Sequence, residues 1–204
     1  MRMHRRIVLV GALGVMLGAI PASELAGQSA TLWQDARPSF ESFYTQIRFD
    51  GDERTMNAEG MGARLMWSPA ATEGRSTLAG RTGFGVFATY TPEHAFGPSF
   101  GFSSLSVGAV ADVRPFEYPL AGRVDPFLSL GTGVLHTNVS QSIAPAPAPI
   151  LAGSKTAFTL VPGIGTRLLL TPNLALQGDV RDLMTFRGDT RHNVAFGAGL
   201  RLSF

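Results

Sequence analysis

The segment 194–204 constrains the fold more than any other part of the chain. Its apolar and its small or charged residues alternate: Val194, Phe196, Ala198, Leu200, Leu202 and Phe204 are separated by Ala195, Gly197, Gly199, Arg201 and Ser203. This period of two predicts a β-strand. A face of Gly and Arg would pack poorly in a soluble sandwich core. It suits the lumen of a membrane barrel, whose other face contacts lipid.

The same alternation recurs in eight segments that turn residues separate. The predicted strands cover 41–50, 59–68, 82–91, 100–113, 125–138, 156–170, 174–186 and 192–204. Pro, Gly, Asn and Asp residues mark the gaps between them. The number of segments is even, and each is close to the length that a tilted strand needs to cross a bilayer. The sequence therefore predicts an all-β fold, an eight-stranded antiparallel up-and-down transmembrane β-barrel.

Residues 1–30 have the composition of a cleaved signal peptide and its cleavage region. Arg2, Arg5 and Arg6 form a basic start, 7–20 is an uncharged apolar run, and 21–30 is small and polar. This order of regions is typical of secretory signals, and the apolar run is short for a transmembrane helix. We therefore expect one domain, the barrel, over 31–204.

Charge and cysteine content exclude several classes of function. Three of the 17 basic residues and one of the 15 acidic residues, Glu24, lie in the predicted signal, which leaves 14 of each in the remainder. A formally neutral domain has no footprint for nucleic acid. Because the chain has no cysteine, it has no disulfide, no lipoprotein signal and no thiolate metal site. We expect no cofactor and no metal.

The alternation also assigns a face to each side chain. The face predicted to contact lipid carries Phe43, Ile47, Phe49, Met61, Ala63, Leu65, Trp67, Phe84, Val86, Ala88, Tyr90, Leu105, Val107, Ala109, Ala111, Leu128, Leu130, Val134, Leu160, Ile164, Leu168, Leu174, Leu176 and Val180. The opposite, lumenal face carries small and polar residues, including Tyr44, Gln46 and Arg48 in the first strand. Small residues are needed there because the interior of an eight-stranded barrel is just wide enough for side chains to fill.

Strand register predicts a cluster of charges in the lumen. A three-residue turn at 171–173 sets Leu168 opposite Leu176 and keeps the faces separate, and we expect it to bring Arg167 opposite Asp179. A loop at 187–191 would then pair Asp179 with Gly199 and Gln177 with Arg201. The predicted lumenal network consists of Arg64, Asp112, Arg167, Asp179, Arg181 and Arg201. The alternative is a wet lumen in which each charge is hydrated separately.

The strand pattern resembles the small outer-membrane β-barrel family typified by the transmembrane domain of outer-membrane protein A. The resemblance rests on the alternating strands, on 126–133 and 170–177, and on the closing Gly199 to Phe204. Leu200, Leu202 and Phe204 resemble the β-signal that the barrel-assembly machinery reads. The resemblance implies a monomer in the outer membrane of a Gram-negative type of cell, with outer-membrane lipid, the assembly machinery and periplasmic chaperones as its partners.

No catalytic residue is expected. His94, His136 and His192 lie in different predicted strands and loops, and His192 has Asp189 nearby in the sequence but no serine beside it.

Three classes of function remain open. The first is a structural or adhesive barrel with a filled lumen. The second is a small passive channel, which would favour anions because inward arginines outnumber the inward carboxylates, Asp112 and Asp179. The five inward arginines are Arg48, Arg64, Arg167, Arg181 and Arg201. The third is a soluble, lipocalin-like ligand-binding barrel, in which the bulky apolar face would point inward.

Overall fold

The computed structural model describes residues 37–50, 55–68, 78–95, 100–141, 153–187 and 189–204. The predicted signal peptide, 1–30, lies outside these residues. The strands are β1 (Arg37–Asp50), β2 (Thr55–Ser68), β3 (Thr82–Ala95), β4 (Phe100–Val113), β5 (Val124–Gln141), β6 (Gly153–Leu169), β7 (Leu174–Arg187) and β8 (Asp189–Ser203). A single-turn 3-10 helix, Ala79–Arg81, precedes β3.

The eight strands form one closed antiparallel sheet in chain order, and β8 pairs with β1. The predicted fold, an eight-stranded up-and-down barrel, is confirmed. Closure leaves the sheet without an edge, so every strand finds backbone partners on both sides. Among the described residues, no helix is long and apolar enough to cross a bilayer.

The barrel has two ends, which hold opposite ends of each strand. We call one end the base: it holds the start of β1, the end of β8, and the turns 114–123 and 170–173. We call the other end the rim, where β1 ends at Asp50 and β8 begins at Asp189.

Large apolar side chains cover the outer wall. From β2 to β8 they lie on the face predicted to contact lipid, as with Leu65, Val107, Leu176 and Leu200, all of which are exposed. Aromatic residues lie toward both ends of this wall, with Trp67 and Phe84 nearer the base and Tyr90 and Phe158 nearer the rim. Aromatic side chains at both margins of an apolar band are typical of transmembrane barrels.

The predicted faces of β1 are wrong. Phe43, Ile47 and Phe49 are buried in the lumen, whereas Tyr44 and Arg48 point outward with Gln46. Both faces of this strand are partly apolar, because Phe40 and Tyr44 alternate with Phe43 and Ile47, so hydrophobicity alone does not separate them. Glu41 shares the face of Phe43 and lies inside, whereas Arg48 lies on the opposite, outer face.

Candidate functional site: the filled lumen

Glu41 is the centre of an ion-pair network in the base half of the lumen. Its carboxylate accepts hydrogen bonds from Arg64 Nη1 at 3.5 Å, Arg167 Nη2 at 3.3 Å and Arg201 Nη1 at 3.3 Å. The Gln177 amide donates a fourth, at 3.1 Å. Glu41 is 1% exposed, so its charge is neutralised by arginines rather than by solvent.

Asp179 and Asp112 extend this network across the barrel. Asp179 accepts from Arg64 Nη2 at 3.1 Å and from Arg181 Nε at 2.8 Å, while Asp112 pairs with Arg167. Together with Glu41, Gln177 and Arg201, these residues form what we call the ionic layer. Every member except Arg201 is fully buried, and the Arg201 side chain is 12% exposed.

The structure brings all six residues of the predicted network into this one layer. Sequence reasoning left out Glu41 because it assigned the first strand to the wrong face. It also placed Gln177 in the lumen without a role, although this amide bridges Glu41 and Asp179. Charge alone could not have placed Glu41, because each face of the first strand carries a charged residue, Glu41 on one and Arg48 on the other.

Two predicted registers differ from the structure. Leu168 does lie opposite Leu176, but the same register sets Arg167 opposite Gln177 and Asp179 opposite Gly165. Residue numbers run in opposite directions along two antiparallel strands. The partner of Arg167 is therefore Gln177, two residues before Asp179. In the β7–β8 hairpin Asp179 faces Gly197 because the strands continue to Arg187 and Asp189. Both shifts are even, so the side chains stay on the predicted faces.

Among the described residues, the formal charges buried in the lumen balance. Four arginines, Arg64, Arg167, Arg181 and Arg201, stand against four carboxylates, Glu41, Asp112, Asp125 and Asp179. Arg48, which was predicted to point inward, is exposed on the outer wall. The excess of inward arginine on which the predicted anion preference rested is therefore absent from this part of the lumen.

Aromatic rings support the arginines, and glycines make room for the rings. The Phe43 ring lies under Arg64 at 5.1 Å and Arg181 at 4.6 Å, and the Phe127 ring under Arg167 at 4.1 Å. These distances are within the range of cation–π attraction. A Cβ on Gly62 would come within 2.3 Å of Phe43 Cζ, so only glycine leaves space for this ring.

The rim half of the lumen is filled mainly by apolar side chains, among which a few uncharged polar residues are also buried: Thr91, Ser104, Thr159, Thr185 and Asn193. Toward the rim, β1 continues from Glu41 to Ile47 and Phe49, and β7 continues from Arg181 to Leu183. What we call the apolar layer consists of Ile47, Phe49, Ala58, Phe87, Phe102, Val161, Leu183 and Ala195. The rings of Phe49 and Phe102 meet edge to face with centroids 4.7 Å apart. The two layers thus lie in series along the barrel axis.

A small cavity lies where the two layers meet. Its volume is about 10 Å³, and Arg64, Arg181, Ser129, Phe87 and Val161 are among its lining residues. A volume near this size admits one water molecule. The cavity is far smaller than the pockets of roughly 300 to 1,000 Å³ that hold small-molecule ligands.

The described histidine side chains form two separate pairs outside the lumen. His192 Nδ1 lies 2.6 Å from Asp182 Oδ2. His136 Nδ1 lies 3.0 Å from Thr156 Oγ1. Among the described residues, one imidazole therefore contacts a carboxylate and the other a hydroxyl, and neither contacts both.

The three residues of the predicted assembly signal lie on the outer wall at the base. Leu200, Leu202 and Phe204 are exposed, and the Phe204 amide donates a hydrogen bond to the Pro38 carbonyl at 3.0 Å. The final residue thus extends the β8 pairing with the start of β1.

Comparison with solved structures identifies the fold. Neisserial surface protein A aligns over 82% of this chain and 97% of its own, with 17% identity and a TM-score of 0.57. The attachment invasion locus protein Ail of Yersinia pestis aligns over 83% and 99%, with 20% identity and a TM-score of 0.54. The N-terminal β-barrel domain of Pseudomonas aeruginosa OprF aligns over 83% and 99%, with 14% identity and a TM-score of 0.50.

The fold is therefore that of the small outer-membrane β-barrels, and the predicted resemblance to the transmembrane domain of outer-membrane protein A is confirmed at the level of structure. No family model matches the sequence, and no curated protein matches it.

Proposed function

We propose that the protein is a structural outer-membrane barrel of a Gram-negative type of cell, with a filled, non-conducting lumen. Its role is structural within the membrane, and its exposed surface interacts with other molecules. It is a monomer and has no catalytic function. The observation that carries this proposal is the filling of the lumen by two layers in series, one of ion pairs and one of apolar side chains.

The arrangement of the lumen disfavours the other two classes. An anion channel requires an uncompensated positive path, whereas the buried arginines and carboxylates in the described part of the chain are equal in number. A soluble ligand-binding barrel requires an apolar interior with a cavity, whereas the bulky apolar residues face outward and the cavity has room for about one water. Two of the similar structures are a surface protein and an attachment protein by name, which supports a role at the cell surface.

Planar-bilayer recording tests the filled lumen. We expect the refolded protein to give no stable conductance steps under conditions in which a porin reconstituted in parallel conducts. Regular steps with anion selectivity would favour the channel instead. Heat-modifiable gel mobility of the same preparation would show that the recorded protein is folded.

A lipid-facing charge tests the membrane placement. Val107 is exposed at the outer wall, and Arg or Lys near the bilayer midplane costs roughly 2 to 4 kcal/mol. We expect Val107→Arg to reduce folding into vesicles, whereas Thr190→Arg, at an exposed position near the rim, should fold normally. Equal folding of both variants would contradict the placement of the wall in lipid.

The position of Phe204 supports recognition by the barrel-assembly machinery, with periplasmic chaperones keeping the chain unfolded before insertion. Deletion of Phe204 should lower the amount of folded protein in the outer membrane. Because refolding into vesicles needs no assembly machinery, the same deletion should have little effect there. A similar loss in both settings would indicate a role in stability alone.

A further inference from the structure

The turn between β4 and β5 exposes apolar side chains at the base of the barrel. It runs from Arg114 to Arg123 and includes Phe116, Tyr118 and Leu120, all of which are exposed. Tyr118, at 69%, is the most exposed of the three. Exposed apolar side chains this close together in a turn indicate a surface that lipid or another molecule covers.

This turn is continuous with the outer wall. Leu120 and Val124 exchange two backbone hydrogen bonds, of 2.7 and 2.9 Å, and Val124 lies opposite Leu168 on β6. Residues directly opposite each other in an antiparallel pair share a face of the sheet. The exposed row Leu120, Val124 and Leu168 therefore extends the lipid-facing wall into the turn.

Backbone geometry fixes the returning half of the turn. Ala121 and Gly122 have φ values of 49° and 71°, and the Arg123 amide donates to the Leu120 carbonyl at 3.1 Å. Two consecutive central residues with positive φ define a type I′ turn. The turn is thus a short hairpin of defined shape that holds Leu120 against Val124.

Two arginines hold the outgoing half. Arg81 Nη1 donates to the Pro115 carbonyl at 2.8 Å, and Arg114 Nη2 donates to the Gly80 carbonyl at 3.3 Å. With Arg123, they give the described part of this turn and the adjoining 3-10 helix three positively charged side chains, and Glu117 is the carboxylate of the turn. Aromatic rings flanked by cationic groups match the boundary between acyl chains and anionic headgroups.

We propose that the turn 114–123 inserts Phe116 and Tyr118 into the headgroup layer of the leaflet at the base, with Arg123 facing lipid phosphate. This inference rests on the proposed placement of the outer wall in lipid. The turn lies outside the sheet and contacts the membrane. It thereby sets how deeply the base of the barrel is placed in the bilayer.

Depth-dependent fluorescence quenching tests this proposal. The chain has two tryptophans, Trp33 and Trp67, and Trp67 is exposed on the outer wall. One reporter keeps only Trp67, through Trp33→Phe. The other carries Trp33→Phe, Trp67→Phe and Tyr118→Trp. Both are refolded into phosphatidylcholine vesicles whose lipids carry bromine at a shallow or a deep acyl position, and both are also titrated with aqueous iodide.

We expect Trp67 to be quenched by brominated lipid and protected from iodide. The reporter at position 118 should be quenched by the shallow bromine more than by the deep one, with emission at shorter wavelength than tryptophan in water. In vesicles that contain phosphatidylglycerol its emission should shift further, and Arg123→Gln should remove that additional shift.

The two reporters separate the possible failures. If Trp67 is quenched by brominated lipid while position 118 is quenched only by iodide, the barrel spans the membrane but the turn is in water, as for a surface that binds a soluble protein. That result overturns the inference. If Trp67 itself is not quenched by lipid, the membrane placement of the wall fails. An unchanged emission with phosphatidylglycerol would contradict the role of Arg123.

Discussion

The two halves of the lumen fill the same barrel with opposite chemistry. In the base half, Glu41 and Asp179 neutralise arginines that lie across several strands. In the rim half, Phe49, Phe102 and Leu183 pack as in the core of a soluble protein. The ionic layer is specific, since each carboxylate needs its own donors. The apolar layer depends on volume and shape alone.

This difference predicts how each half fails. Loss of one charge leaves its partners buried and uncompensated, whereas loss of one apolar side chain leaves a cavity. Urea titration of the refolded protein in vesicles measures the free energy of unfolding in both cases.

Glu41→Ala should be the most destabilising change, by about 3 to 5 kcal/mol, because Arg64, Arg167 and Arg201 lose a shared buried partner. Glu59→Ala, at an exposed position, should have little effect, since surface charge pairs contribute roughly 0 to 1 kcal/mol. Combining Glu41→Ala with Arg167→Ala should recover part of the loss. Strictly additive effects of the two substitutions would indicate charges that are hydrated separately.

Leu183→Ala should cost about 2 to 5 kcal/mol, because Leu183 is buried in the apolar layer. Leu176→Ala on the same strand provides the control: its side chain faces outward, where acyl chains are as apolar as leucine and can fill the space. We expect a clearly smaller loss there. Equal losses for the two leucines would mean that the rim half is not packed as described.

Gly62→Ala should cost about 1 to 3 kcal/mol through overpacking, because its Cβ would meet the Phe43 ring and the Ala88 carbonyl. Gly178→Ala, on the outer face, meets only the Gly197 carbonyl at 3.9 Å and should be tolerated. The combination of Gly62→Ala with Phe43→Leu should be less damaging than the two separate losses together. If it is not, the close approach of the ring to Gly62 is not the cause.

Ala121→Gly should stabilise the protein, by about 1 kcal/mol at most, because a left-handed conformation is unfavourable for any residue with a Cβ. Ala121 lies outside both layers, so this variant shows how large a change in stability is when the lumen is not involved. A loss of stability would show that the entropy of the added glycine exceeds the relieved strain.

Much of the fold was predictable because lipid and lumen impose different requirements on alternate residues. Strands β2 to β8 carry bulky apolar residues on one face and small or polar residues on the other, and their faces were predicted as the structure has them. Strand β1 broke the rule because its lumenal face is itself largely apolar. Phe43 lies under two arginines of the ionic layer, and Ile47 and Phe49 belong to the apolar layer, so the pattern of these lumenal residues is the same as that of lipid-facing ones.

Local alternation and turn residues were enough to predict the number of strands, the closed antiparallel sheet and the lumenal position of most of the charges. Which charges meet depends on how the barrel closes. Glu41 and Arg201 are 160 residues apart in the chain, and they become neighbours because closure places β8 beside β1 with Glu41 opposite Arg201. Registers around a closed barrel are set by all eight strands together, so no single hairpin could reveal that Glu41, on the first strand, lies at the centre of the network.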